Sequence, residues 1–232
     1  MYPFARNATG RARVEMFILS LCLTVGFLND LLTFQQYLVR EAIGDRVLRT
    51  EEVVAIDVGA NVGVYAITAG LSVGASGRVI AVEADEEYLP RLQAGLERNA
   101  LENTDIIVAA AGHVDGEAEL IIAADGAFSS IKPLVSYAGS GATRQVQERR
   151  LDSIWDEAGQ PDVAFVKVDV EGAEVEVLRG AEQLLQRCHP ALVVEVRPEQ
   201  TEPEVRRRLS AFGYEDVTPP GFSPANRAYR AA

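Results

Sequence analysis

The strongest chemical signal in the sequence is Asp57-Val-Gly59-Ala60-Asn61-Val-Gly63, a glycine turn between an apolar run and an amphipathic one. A strand, such a turn and then a helix is the setting in which a backbone is brought against a nucleotide. The spacing here supplies only Gly59 and Gly63, not the G-x-G-x-x-G that seats a pyrophosphate on a helix N-terminus. The Asp57 carboxylate would repel a pyrophosphate and suits an ammonium or sulfonium ligand, while glycine at 59 and 63 lets backbone approach that ligand closely. About 20 residues past Gly63, Glu83 closes a second apolar run, where a carboxylate accepts hydrogen bonds from ribose hydroxyls. Ribose recognition without a pyrophosphate cradle points to S-adenosylmethionine ahead of NAD.

The second constellation is Lys167-Val-Asp169-Val-Glu171-Gly-Ala-Glu174. It falls at the end of an apolar strand, the edge at which parallel sheets bind ligands. Two-residue spacing puts Lys167 and Asp169 on one side of that strand, where they can pair; an ion pair capping the sheet is the purely structural alternative. Asp169 is the candidate residue beside the reacting centre, either accepting a proton from an attacking hydroxyl or holding the substrate. Glu171 and Glu174 orient it or cap the next helix. Glu195 ends the following strand and joins the same acidic rim, with a carboxylate-held Mg²⁺ at Asp169 and Glu195 as an open alternative. His113 reads as an exposed loop residue and His189, before Pro190, as structural. Without a histidine pair or cysteine cluster, no transition-metal site is expected.

The elements that must position these groups follow from alternating patterns. Apolar runs at 53–58, 78–83, 105–110, 163–170 and 191–196 read as strands, the first nearly continuous, as in a sheet covered on both faces. Helical patterns at 64–73, 86–100, 174–187 and 202–212 separate them, which predicts an α/β protein with a parallel sheet. Between 112 and 141 the chain is richer in Gly, Ser and Asp. A strand is expected at 118–122, an irregular loop through Ser129, Ser130 and Pro133, a short strand at 146–151, and a short helix capped by Asp152. Residues 125–141 are expected to shape the acceptor pocket. A final strand is expected at 214–218.

Apolar residues make up 48% and charged ones 24%, the balance of an ordinary folded chain, and 232 residues suit one core better than two. The predicted organisation is therefore one domain, 51–232, with an N-terminal helical segment, 1–50, packed on it. A net charge of −12 argues against binding a phosphate backbone, so no nucleic-acid partner is expected. The apolar run at 16–28 follows Arg6, Arg11 and Arg13 but is too short for a bilayer span. It reads as the start of an amphipathic helix reaching Ile43, which could also serve as a lid or a homodimer contact. Cys22 and Cys188 are far apart and read as buried free thiols in a reducing compartment, so the expected location is cytoplasmic with no membrane association.

Taken together, Ile56-Asp-Val-Gly-Ala-Asn-Val-Gly63, Phe165-Val-Lys-Val-Asp-Val-Glu-Gly-Ala-Glu174 and Leu178-Arg-Gly-Ala181 resemble the FkbM family of class I methyltransferases over about 53–196. The resemblance implies a Rossmann-like fold, a seven-stranded, mostly parallel sheet with helices on both faces. It also implies S-adenosylmethionine as cofactor and O-methylation of a small hydroxylated acceptor such as a sugar, polyketide or other secondary metabolite. Carried over, Asp57, Gly59, Ala60, Asn61 and Gly63 surround the methionine part. Glu83 holds the ribose, Ala84 flanks the adenine with Ala110 and Ala111 opposite, and Asp169 lies at the methyl end. Two other classes stay open: a non-catalytic cofactor-binding module of the same fold, and an NAD-dependent oxidoreductase.

Overall fold

A computed structural model describes residues 31, 33–35, 37, 52–122, 129–131, 142–197 and 199–232. The apolar run at 16–28, Cys22, and most of the expected acceptor loop at 125–141 lie outside the described residues. The chain runs β1 (Val54–Val58), α1 (Val64–Val73), β2 (Arg78–Glu83), α2 (Leu89–Arg98) and β3 (Thr104–Val108). It continues as β4 (Ala110–Gly112), β5 (Gly116–Ile122), β6 (Ser129–Ser130), β7 (Ala142–Arg150), α3 (Leu151–Glu157) and β8 (Val163–Val168). It ends with α4 (Glu174–Arg179), α5 (Glu182–Cys188), β9 (Ala191–Glu195), α6 (Glu202–Ala211), β10 (Tyr214–Asp216) and β11 (Asn226–Ala231).

The main sheet has seven strands in the order β10-β11-β9-β8-β1-β2-β3. Strands β3, β2, β1, β8 and β9 are mutually parallel, and β11 runs antiparallel to both β9 and β10. All of β1 is buried because alternate residues feed two cores. Val54, Ile56 and Val58 pack with Trp155, Leu184 and Tyr229 on one face, while Ala55 packs with Ala66, Leu92 and Phe165 on the other. Phe34, on the described helical residues between 31 and 37, meets Tyr65 and Phe165 edge-on at ring centroid distances of 4.7 and 5.5 Å. The strand order reverses at β1, between β2 and β8, and it is there that an open parallel sheet leaves a crevice beyond its carboxyl ends.

A second sheet, β4-β7-β5-β6, is built from the region where one strand, a loop and a short strand were expected. The strand predicted at 105–110 is divided: β3 stays in the main sheet, and β4 leaves it to pair in parallel with β7. At Gly112 an added Cβ would lie 2.0 Å from a Glu148 carboxylate oxygen, so any side chain there would have to displace the Glu148 side chain that packs across β4 and β7. Strand β7 is longer than the predicted 146–151 because its first residues ladder with β5. Ser129 and Ser130, expected in a loop, extend β5 as the short edge strand β6.

The single helix predicted at 174–187 is two helices, α4 and α5, parted at Gly180. The Gly180 carbonyl accepts the Asp152 amide at 2.8 Å. A Cβ on Gly180 would stand 1.9 Å from the Gly112 carbonyl. Asp152, expected to cap its own helix, sits inside the first turn of α3 and accepts the Gln183 and Leu184 amides at 3.2 and 3.0 Å. It therefore caps α5 from another element. Asp152→Ala leaves those two amides unsatisfied and is expected to cost about 1–2 kcal/mol of unfolding free energy, read as a lower urea midpoint with unchanged slope. The helix predicted from Glu86 begins at Leu89, with Pro90 in its first turn, where a missing N–H costs nothing.

Candidate active site

The Asp57–Gly63 loop is shaped by three residues in the left-handed region, Gly59 (φ 80°), Asn61 (φ 50°) and Gly63 (φ 89°). The Gly59 and Ala60 amides donate to the Val82 carbonyl at 2.9 and 3.1 Å, which ties the loop to β2. A Cβ on Gly59 would fall 1.8 Å from the Asp169 carbonyl oxygen, so glycine here is what lets the end of β8 rest against the loop. At Gly63 a Cβ would fall 2.4 Å from Leu92 of α2. Glu83 accepts the Asn61 amide at 2.6 Å and the Asp85 amide at 2.7 Å, one on each oxygen. Burial pushes its carboxyl up, against these two amides. Of roughly four lone-pair sites on a carboxylate, two remain open at Glu83.

Above this loop lies a cavity of about 700 Å³, at the carboxyl ends of β1, β2, β8 and β9. Of the residues singled out from sequence, Gly59, Ala60, Asn61, Glu83, Ala84, Ala110, Ala111, Asp169, Glu171 and Glu195 all line it. Asp57, Gly63 and Lys167 do not; they stand behind the wall. Ser129, Ser130 and Ile131, within the stretch expected to shape the acceptor pocket, line it too, while sequence reasoning missed Tyr65 and Ala109, and Ser223 and Asn226 from before and within β11. Of the missed residues Tyr65 alone had a local signal, two residues past Gly63 in the first turn of a helix that borders the cavity. The others arrive through long-range pairing. Ser129 Oγ donates to Asp85 at 3.1 Å and Ser130 Oγ to the Val170 carbonyl at 3.3 Å, so β6 bridges the ends of β2 and β8 across the cavity. Arg144 on β7 anchors the same point, 2.8 Å from Asp85.

The electrostatics centre on Lys167, which is 2% exposed. Its Nζ donates to Asp169 at 2.9 Å and lies 4.1 Å from the centroid of the Tyr65 ring. Burial works against its charge, but the carboxylates of Asp169 and Asp57 overcome this and hold it above the usual lysine range. Asp57 is 3% exposed, and neither carboxylate oxygen has a well-formed hydrogen bond. Burial pushes it up to about 6, with Lys167 opposing and Asp169 adding to the rise. Asp169 is only partly buried, and Lys167 holds its carboxyl below the ordinary value. Glu195 sits within hydrogen-bond reach of Asp169, and burial together with that neighbouring charge pushes it up to about 8. Glu171 pairs with Arg197 at 2.8 Å, and Glu174 reaches back to the Gly172 amide at 2.7 Å.

Neither histidine lines the cavity. His113 Nδ1 stands 3.6 Å from both Glu148 and Glu176, and His189 ends α5 in a left-handed conformation. Cys188 is buried, its Sγ 3.7 Å from the Pro161 carbonyl oxygen. Among the described residues, no group of three or more His, Cys, Asp and Glu is placed to hold a metal ion, and no helix is long and apolar enough to cross a membrane.

The family described as methyltransferase FkbM domain matches residues 57–215. The chain belongs to the FkbM methyltransferase family. Among solved structures, methyltransferase FkbM from Methylobacillus flagellatus KT aligns with a TM-score of 0.54 at 19% identity, covering 77% of this chain and 43% of that one. This FkbM domain thus spans less than half the length of that relative. A putative rRNA-methylase from Clostridium thermocellum aligns with a TM-score of 0.48 at 9% identity, covering 83% and 97% of the two chains. A SAM-dependent methyltransferase from Aquifex aeolicus gives 0.43 at 18% identity, covering 84% and 92%. No protein of curated function matches the sequence significantly. The fold of this FkbM protein is that of the class I methyltransferases, with the four-stranded sheet inserted after β3.

Proposed function

We propose that this FkbM protein is an S-adenosylmethionine-dependent O-methyltransferase acting on a small hydroxylated acceptor. The observation that carries the reading is Glu83. It ends β2 at the switch point of the sheet, keeps two acceptor sites open, and borders a loop whose glycine lets backbone form the cavity floor. Those open sites suit a pair of ribose hydroxyls. Ala84 and Ala109–Ala111 supply small apolar walls for a purine. Asp57, whose buried oxygens lack good partners, puts negative charge behind the loop and favours a cationic ligand over a pyrophosphate.

Bound S-adenosylmethionine supplies an already activated methyl group, so the protein's task is chiefly alignment, for which effective molarities reach about 10⁵ M or more. Asp57, Gly59, Ala60, Asn61 and Gly63 form and back the methionine side, and Glu83 holds the ribose. Asp169 and Glu195 face the end at which an acceptor hydroxyl must lose its proton. With its charge spent on Lys167, Asp169 suits holding the acceptor, the second of the two roles open to it. Lys167 and Asp57 act from behind the wall by fixing that carboxylate.

Calorimetric titration with S-adenosylhomocysteine and with NAD tests the cofactor, and binding of NAD alone would overturn the proposal. Two charge-assisted hydrogen bonds of about 1.5–3 kcal/mol each predict that Glu83→Ala weakens S-adenosylhomocysteine at least roughly tenfold. The variant also frees the Asn61 and Asp85 amides, so Glu83→Gln, which keeps an acceptor, should lose less. Mass-shift screening of glycosides and hydroxylated polyketides tests the acceptor. Tight S-adenosylhomocysteine binding with no product on any of them would favour a non-catalytic module.

A further inference from the structure

We propose that Glu195, rather than Asp169, takes the proton from the acceptor hydroxyl, while Asp169 is the fixed neighbour that keeps Glu195 basic enough to do so. This deepens the methyl-transfer reading of the cavity and rests on it. The register of two parallel strands carries the argument. Val168 of β8 stands opposite Val194 of β9, so the next residues, Asp169 and Glu195, emerge side by side into the same cavity wall. They are not equivalent. Asp169 is committed to Lys167 at 2.9 Å, and Lys167 is enclosed beneath the Tyr65 ring, where water cannot replace the carboxylate. A carboxylate neutralised in this way is a poor proton acceptor.

Glu195 has no such partner among the described residues. Around it stand Asp169 and Lys167 from β8, Glu171 from the loop beyond, and Asn226, its register partner on β11. Asp57 of β1 and Tyr65 of α1 lie beyond Lys167. Arg197, two residues along its own chain, is taken up by Glu171 at 2.8 Å. Burial and the Asp169 charge hold the Glu195 carboxyl near 8, within the range at which a base works well near neutrality. In the step itself, the acceptor O–H bond breaks and the proton passes to a Glu195 carboxylate oxygen. The electron pair of the broken bond stays on the acceptor oxygen as the nucleophile.

The deciding measurement needs neither cofactor nor acceptor. Carboxyl carbon-13 NMR of the full chain is followed against pH in the wild type and in Asp169→Asn, the Glu195 resonance being assigned by its loss in Glu195→Gln. The expected wild-type midpoint is near 8, falling in Asp169→Asn, where the like charge is gone, yet staying above the ordinary glutamate value of about 4.3 because burial, the larger cause, remains. A wild-type midpoint in the ordinary range, or one indifferent to Asp169→Asn, overturns the proposal. Because this titration is read on the free protein, a failure of S-adenosylhomocysteine to bind would sink the methyltransferase reading without being confused with it. On an acceptor found by mass shift, Glu195→Gln should lower kcat about 100-fold or more and abolish the rise of kcat/KM with pH. Asp169→Asn should keep that rise and move it to lower pH. The reverse assignment of the two phenotypes would equally overturn the proposal.

Discussion

Lys167→Met is expected to lower the unfolding free energy by about 3–5 kcal/mol near neutral pH, because it strips the buried cation that faces the enclosed Asp57 and the part-buried Asp169. Methionine fills much the same volume against Tyr65, so the loss is electrostatic rather than a cavity. The sign of the pH dependence follows from the neighbours. Lys167 is held above the ordinary lysine value, so its stabilising contribution is complete at neutral pH and is lost as pH climbs from the ordinary lysine value to that raised one. Without it, Asp57 and Asp169 face each other uncompensated and both rise. The folded variant then binds more protons than its unfolded chain between the ordinary carboxylate value and these raised ones, so its stability recovers as pH falls. Urea denaturation at about pH 7.5 and about pH 5 should show the deficit shrinking on acidification. A deficit below about 1 kcal/mol, the scale of an exposed pair, would show that Lys167 is not the charge on which this end of the sheet depends. The wild type carries a milder form of the same trend. Asp57 near 6 and Glu195 near 8 are both raised, so each costs stability progressively as pH climbs from the ordinary carboxylate value to its own, and the full cost persists above that.

Gly59→Ala should be the most damaging single change for function. Alanine at φ 80° costs about 1–2 kcal/mol from conformation alone. Its Cβ must also retreat from 1.8 Å to at least 3.0 Å from the Asp169 carbonyl, and overpacking of that kind adds about 1–3 kcal/mol. The displaced backbone is that of Asp169 itself, so the shift reaches Lys167 and the acceptor side of the cavity together. A misplacement of about 1 Å at a reacting centre can cost about 100-fold in turnover. Loss on that scale is expected, along with weaker S-adenosylhomocysteine binding by calorimetry. Gly116→Ala is the control, since a Cβ there meets nothing within 4 Å and the backbone needs no positive φ. If Gly59→Ala behaved like Gly116→Ala, the close approach of loop and strand would not hold in solution.

Much of the cavity was legible because its makers lie close together in sequence. The Asp57–Gly63 turn and Glu83 with Ala84 lie at the carboxyl ends of β1 and β2, and Ala110 with Ala111 lies just past the end of β3. In a parallel sheet every strand ends at the same edge, so residues at strand ends must converge. The Lys167–Asp169 pair followed from period-two alternation and is present at 2.9 Å. Sequence reading placed Glu195 on the same rim as Asp169; what could not be read was the contrast between Asp169 and Glu195. The first is tied to a lysine two residues away, which local spacing reveals. The second owes its raised pKa first to burial and then to the Asp169 charge that the β8–β9 pairing brings beside it, neither of which a local pattern encodes.

The sequence by itself determined the alternation of strands and helices, the left-handed glycine turn and the carboxylate that ends β2, because each rests on the conformational preferences of a few adjacent residues. Tertiary structure decided that Gly180 splits a helix where Gly112 passes, that Asp152 caps a distant helix, and that β6 bridges the cavity. It also placed Asp57 and Lys167 behind the wall rather than in it. Those outcomes depend on steric exclusion and charge burial between segments far apart in the chain, and such forces act only once the sheet has brought the segments together.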